Sequence, residues 1–301
     1  MSKPETTMAA SAEAREELRA SEGKSAEPIP EEILIRPPGA FSGISFRELW
    51  CYRGTLARKV KQRVRIQYDD MLFGFLWAVA RPLIMVFVFW AFRGLAEAQM
   101  GVTIPYPLYV YSGLVVWFFF TDATTAVTMS LQRDAGLIQK VYFPRLLSPL
   151  SHLFAETSNL LLAAVPLAVM MAAWREPPGW MLLSLPLVLA QLLLLSLGLG
   201  MIFSALALRS RDWERLMKFM LYVGLWISPV IYSVDRIPGS YKLLYLLNPM
   251  SGTLLGMRAA VFGHFEFPWG SWLYALGFSA AVTLVGLLAF QRSERFLADK
   301  L

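Results

Sequence analysis

The chain has 301 residues, 56% of them hydrophobic and 17% charged, with a formal charge of +6 and a mean hydropathy of +0.48. Soluble domains carry about 45–50% apolar and about 25% charged residues, so both figures point towards a membrane protein. One cysteine, Cys51, excludes an intrachain disulfide and a cysteine-rich metal site, and two histidines, His152 and His264, are too few for most metal clusters.

Residues 1–32 hold eight acids and four bases among many Ala, Ser, Glu and Pro, without an apolar run. That composition predicts a disordered tail and not a signal peptide. Gly23-Lys24-Ser25 imitates the end of a phosphate-binding loop, but the first glycine of such a loop would fall at position 18, which is Leu18. The tail carries a net charge of −4, which leaves +10 on residues 33–301.

Residues 33–70 read as an amphipathic interfacial segment. Ser45-Phe46-Arg47-Glu48 is a capping-box pattern that predicts a helix starting at Phe46. Phe46, Leu49, Trp50, Leu56, Val60 and Val64 recur at three- or four-residue spacing, with Arg58, Lys59, Lys61, Arg63 and Arg65 around them. Such a helix lies along the membrane face before the chain turns inward at Gly74.

Residues 71–301 read as the transmembrane domain. The stretches 98–121, 157–174, 177–208, 219–234 and 267–291 carry no charge, and 71–92 contains only Arg81. A helix crossing the bilayer core needs about 20 apolar residues. The expectation is an all-α membrane protein with six spans near 74–96, 107–129, 148–173, 179–207, 216–234 and 270–291. The run 177–208 exceeds one straight span, so Pro177-Pro178-Gly179 predicts tilt or a start outside the membrane.

Between the second and third expected spans, residues 131–145 are too polar to cross. They nevertheless present Leu137, Ile138, Val141, Tyr142 and Phe143 beside Lys140 and Arg145. A short helix ended by Pro144 is predicted there, offering an apolar docking surface; side chains that merely lie in the interface are the alternative. Between the fifth and sixth, Leu243–Met257 is uncharged, too short to cross, and broken at Asn248-Pro249 and Gly252. Two short helices forming a re-entrant hairpin through Asn248, Pro249 and Met250 are predicted, with a plain surface loop as the alternative.

Eighteen Lys and Arg residues then fall on one side of the expected spans, and five (Arg93, Arg175, Arg236, Lys242 and Arg258) on the other. The positive-inside bias places both termini in the cytoplasm. The basic excess faces anionic headgroups, so nucleic acid is not needed to explain it.

Arg81, Asp122, His152 and Glu156 are ionisable groups in or near spans, which makes each a functional candidate. Structural readings compete: Arg81 can snorkel, and Glu156 can pair with Arg145 across helices. Aromatics crowd the first, second and fifth expected spans. Phe87, Tyr109, Tyr111, Trp117, Phe118, Tyr222, Trp226 and Tyr232, with Asp122, are candidate channel lining. Flat apolar faces let sugar rings slide without tight binding; a headgroup girdle explains any single one of them equally well. No internal repeat stands out, which counts against transporters built from inverted repeats.

Taken together, Ile35-Arg36-Pro37-Pro38, Phe46-Arg47-Glu48-Leu49-Trp50, Tyr68, Gly74-Phe75-Leu76-Trp77, Arg81-Pro82-Leu83, Pro105-Tyr106-Pro107-Leu108, Tyr111-Ser112-Gly113-Leu114 and Trp117-Phe118-Phe119 stand in a distinctive order. Leu137-Ile138-Gln139-Lys140-Val141-Tyr142-Phe143-Pro144-Arg145, Arg211-Asp212, Ser228-Pro229-Val230-Ile231-Tyr232 and Leu247-Asn248-Pro249-Met250 continue it. From about residue 33 onward the chain resembles the membrane subunit of polysaccharide-exporting type-2 ABC transporters, the group that moves O-antigens, capsules and teichoic acids. Asp69 and Asp70 stand where similar sequences usually carry basic or neutral polar residues, and Phe75 replaces a common Pro.

The resemblance implies a non-catalytic permease in the bacterial inner membrane, a homodimer with a channel between its subunits. Two copies of a separate ATPase would drive it, with ATP and magnesium held there and no cofactor on this chain. The cargo would be a lipid-linked polysaccharide. Coupling to the ATPase would run through Leu137, Ile138, Lys140, Val141, Tyr142, Phe143 and Arg145, and the hairpin would shape the outer exit. An ABC exporter of a small lipid or drug, an ion-coupled secondary transporter and a membrane-embedded transferase are the alternatives.

Overall fold

The computed structural model describes residues 50–69, 76–92, 104–138, 144–234 and 237–300. The tail 1–32, the capping box at 45–48 and the apolar segment 139–143 lie outside the described residues. The described elements are helical throughout: α1 (Arg53–Asp69), α2 (Leu76–Ala91), α3 (Tyr106–Thr128), α4 (Ser130–Arg133), α5 (Ala135–Ile138), α6 (Leu147–Trp174), a 3-10 turn (Trp180–Ser184), α7 (Leu185–Ala207), α8 (Asp212–Ile227), α9 (Gly239–Leu246), α10 (Pro249–Val261) and α11 (Trp269–Lys300).

Four of these are long and apolar enough to cross a membrane: α3, α6, the 3-10 turn continued by α7, and α11 through Ser293. Among the described residues, the expectation of six spans is therefore corrected to four helices of spanning length. The first expected span, 74–96, is described as α2, only 16 residues long. At 1.5 Å rise per residue the described helix is about 24 Å, against a hydrocarbon core of about 30 Å. The fifth, 216–234, is the 16-residue α8, whose first turns carry Asp212, Glu214, Arg215 and Lys218. It ends at Ser228 because Pro229 follows: the residue before a proline is pushed out of the helical region, and Ser228 is extended at φ −90°, ψ 147°.

The re-entrant hairpin is corrected as well. Two short helices do flank Asn248-Pro249, as the break predicted. They differ too much in environment to dip together, however. Tyr241, Leu243 and Leu244 of α9 are exposed, whereas α10 is buried along most of its length. It packs on α11, α7, α3 and the 3-10 turn. α10 is thus an interior helix. Asn248 caps it, accepting from the Met250 N–H at 3.0 Å, with Pro249 in the first turn, where its missing N–H costs nothing.

α3 sits at the centre. Seventy-eight per cent of its apolar stretch is buried inside this one chain, against 28% for α6 and α11. α7 and α11 make the closest pair. A Cβ on Gly286 would come within 2.5 Å of the Gly198 carbonyl oxygen, so these backbones touch where no side chain fits. Alongside, Gln191 Nε2 donates to Ser279 Oγ at 3.0 Å and Thr253 Oγ1 donates to Gln191 Oε1 at 3.0 Å, joining α7, α10 and α11 through buried hydrogen bonds.

The break after α8 has its own device. Arg258, on α10, is fully buried and lies over the Tyr109 ring at 3.5 Å. Its Nη1 donates to the Pro229 carbonyl at 2.8 Å and the Tyr109 hydroxyl at 2.7 Å, and Nη2 donates to the Val230 carbonyl at 2.7 Å. Freed backbone carbonyls at membrane depth are tolerable only when something within the protein satisfies them, and here one guanidinium does so. Arg258 is therefore not the outward-facing loop cation that the charge count suggested. Gly113 makes room for it: a Cβ there would meet Arg258 Nη2 at 2.7 Å.

Candidate functional site

α1 packs against α6 and has no buried residue of its own. Two polar groups fasten its inner face. Arg63 Nη2 donates to Asp134 Oδ2 at 2.5 Å, in the turn between α4 and α5, and Arg63 Nε donates to Ser151 Oγ at 2.9 Å. Arg63 Nη1 lies 3.3 Å from His152 Nδ1, and Ser148 Oγ donates to the same Asp134 oxygen at 2.5 Å. Burial alone would raise the Asp134 pKa, but the hydrogen bonds from Arg63 and Ser148 and the guanidinium charge outweigh it and hold the carboxyl below its usual value. On α1, burial pushes the Lys59 pKa down, although Asp134 pulls the other way. One carboxylate thus binds α1, the α4–α5 turn and the start of α6 together.

Further along α1, a cavity of about 270 Å³ opens between α1, α2, α3 and α6. Its polar wall is assembled from all four helices. Arg81 of α2 grips both carboxylate oxygens of Asp122 on α3, with its Nη1 at 3.2 Å, and its guanidinium lies 4.2 Å from the centre of the Phe118 ring. On α6, Asn159 Nδ2 donates to Glu156 Oε2 at 2.6 Å. From α1, the Tyr68 hydroxyl donates to Asn159 Oδ1 at 2.6 Å, and Gln67 bears on Glu156. Trp77, Phe118 and Phe119 supply aromatic surface, and Pro82, Leu160 and Ala163 aliphatic surface. Pro82 interrupts the α2 hydrogen-bond ladder at the level where Arg81 reaches inward.

The expected coupling residues are partly in view. Leu137 is exposed at the end of α5 and Arg145 opens the turn into α6, while the Ile138 side chain and Lys140, Val141, Tyr142 and Phe143 lie outside the description. Two single-turn helices meet at Asp134, and the expected stretch up to Pro144 passes through 139–143, outside the described residues. At that break the Asp134 carboxylate accepts from Arg63 and Ser148.

The channel candidates divide. Phe87, Tyr222 and Trp226 are exposed, on α2 and α8. Tyr109, Tyr111 and Trp117 are buried on α3, and the Tyr111 hydroxyl donates to the Ala163 carbonyl of α6 at 2.9 Å. Phe118 and Asp122 line the cavity just described. Tyr232 receives a hydrogen bond on its backbone carbonyl from Tyr109 at 3.0 Å. The exposed helices touch where the Phe89 and Trp226 rings meet edge to face at 6.2 Å. Among the described residues no group of His, Cys, Asp and Glu could hold a metal ion.

Arg63–Asp134 and Arg258 are the polar anchors that sequence reasoning missed. Asp134 had one visible signal, a lone acid within the basic segment 131–145. Arg258 had none, because its partners are carbonyls of a distant break.

Residues 56–262 match the family model for the ABC-2 type transporter. The chain is 29% identical over 239 residues to the O-antigen export system permease protein RfbA of Klebsiella pneumoniae, which covers 78% of this chain and 90% of that protein. It is 28% identical over 246 residues to the RfbA of Myxococcus xanthus, covering 81% and 92%. The polysialic acid transport protein KpsM of Escherichia coli is similar at 22% identity over 238 residues, covering 77% and 91%. With its family model spanning α1 to the end of α10, the chain belongs to the ABC-2 type transporter family.

Proposed function

We propose that the chain is the membrane permease subunit of an ATP-driven exporter that carries a lipid-linked polysaccharide, of the O-antigen or capsule kind, out of the cytoplasm across the inner membrane. The observation that carries this reading is the match along about nine-tenths of curated O-antigen and polysialic acid export permeases. The cytoplasmic face in this reading is the one that α1 and segment 131–145 share through the Arg63–Asp134 bond, and both segments are rich in bases. Residues 1–32 form a cytoplasmic tail, 33–70 the interfacial segment and 71–301 the membrane domain.

In this reading two copies of the chain pair through the exposed apolar faces of α2 and α8, where Phe87, Tyr222 and Trp226 present flat surface to a passing glycan. Two copies of an ATPase subunit dock beneath segment 131–145, from Leu137 to Arg145. Closure of the ATPases pushes on that segment, and the Arg63–Asp134 bond passes the push to α1 and α6 together. Asn248, Pro249 and Met250 stiffen the turn into α10 near the opposite end.

Deletion of the chain is expected to leave lipid-linked polysaccharide in the cytoplasm and to strip it from the cell surface; normal surface polysaccharide would overturn the reading. The purified chain is expected to bring a nucleotide-binding subunit with it. Leu137→Asp is expected to abolish stimulated ATP hydrolysis in that complex, and unchanged export would overturn the coupling role of this segment.

A further inference from the structure

We propose that the cavity between α1, α2, α3 and α6 is a binding subsite for a single sugar ring, built within one subunit and separate from the exposed faces of α2 and α8. The identity of the sugar as cargo rests on the function proposed above. Arg81, Asp122 and Glu156 are ionisable groups set among apolar helices, where their desolvation is costly and a ligand or pathway is the default reason for keeping them.

The chemistry of the wall selects the ligand. Arg81 and Asp122 neutralise each other, and Glu156 leaves a formal charge of −1, so a phosphate or diphosphate would be repelled unless Asp122 let go of Arg81. A simple ammonium group would need acceptors alone, yet the Asn159 amide and the Arg81 guanidinium place donors on the same wall. Hydroxyl groups both donate and accept, and each carboxylate oxygen bound once still has a lone pair to offer them. Trp77 and Phe118 give flat faces suited to the C–H side of a pyranose. At about 270 Å³ the cavity falls just below the range of about 300–1,000 Å³ typical of ligand pockets, room for one ring and not a run of polymer. Tyr68 is a positioning residue: its hydroxyl fixes the Asn159 amide, which in turn fixes Glu156.

The test uses the full permease–ATPase complex in cells that make their own lipid-linked polysaccharide. A photoreactive benzoylphenylalanine replaces Leu160, which lines the cavity, or Leu161, which is 66% exposed on the outer face of α6. Illumination is expected to attach glycan at position 160 at least tenfold more than at 161. Glu156→Gln and Asn159→Ala should each cut that adduct tenfold or more, and Tyr68→Phe about threefold, with the ATPase still copurifying as evidence of a folded complex. The same photoprobe at 160 in vesicles of phosphatidylethanolamine and phosphatidylglycerol, with no glycan present, separates lipid from sugar. A phospholipid adduct that persists when glycan is made would overturn the proposal. Equal adducts at 160 and 161, or none at 160 while export proceeds, would overturn it too and leave the export reading standing. Failure of that broader reading shows elsewhere, as normal surface polysaccharide in the deletion strain.

Discussion

α3 and α8 are both rich in aromatic residues, and the structure treats them in opposite ways. Along α3, Tyr109, Tyr111 and Trp117 are sealed inside the chain, the two tyrosine hydroxyls satisfied by Ala163, Tyr232 and Arg258. Along α8, Trp213, Phe219, Tyr222 and Trp226 face outward, and only Met217 and Leu225 are buried. Aromatic content alone therefore separates nothing. A helix whose rings are paired within the subunit is part of the scaffold, and one whose rings remain outside is available to a second copy or to cargo.

Substitutions can break this contrast at its strongest point first. Arg258→Ala strands the Pro229 and Val230 carbonyls, while the Tyr109 hydroxyl keeps its bond to the Tyr232 carbonyl; each unsatisfied buried group costs about 1–3 kcal/mol, so a loss of about 4 kcal/mol is expected. Thermal unfolding of the detergent-solubilised complex reads it, and a small shift would refute the clamp. Trp117→Ala and Trp226→Ala form a matched pair. The first is expected to cost about 3–5 kcal/mol through the cavity it leaves, and the second about 0.5 kcal/mol or less while slowing export. Equal stability effects would erase the distinction between α3 and α8.

Gly286→Val tests the scaffold side again. Its branched side chain must enter the contact with Gly198, for an expected loss of about 1–3 kcal/mol and a lower yield of monodisperse protein. The smallest effect concerns pH. Because the folded Asp134 pKa is depressed, its contribution is present above its unfolded value of about 3.9 and is lost as pH falls through the folded value. Lys59 and Arg63 on α1, Arg133 on α4 and His152 on α6 share this environment. Asp134→Asn should flatten the fall in melting temperature below about pH 4; an unchanged profile would show that another group carries it.

The four long helices were legible because each rests on a local property, a charge-free run of sufficient length. Their ends fall within a few residues of the charges and prolines that bound those runs. α8 was over-read because apolar content extended past the point where Pro229 and a charged first turn limit the helix; α2 has the apolar content of a span in a described helix of 16 residues. The break at Asn248-Pro249 was legible from proline and capping chemistry, but its consequence was not. Whether two short helices form a surface hairpin or bury one of their number depends on what α3, α7 and α11 leave uncovered.

The sequence by itself determined the membrane class, the positions of the long helices and, through the order of many short motifs, the family. These properties are local or linear: charge density, segment length and spacing survive without any knowledge of packing. Only the tertiary structure decided that Arg81 would meet Asp122, 41 residues away, that Asn159 would hold Glu156 beneath Tyr68, and that Arg258 would clamp a broken backbone. In each case the partner is chosen by which helix faces come together. That choice is set by the collective packing around α3 and by no single stretch of the chain.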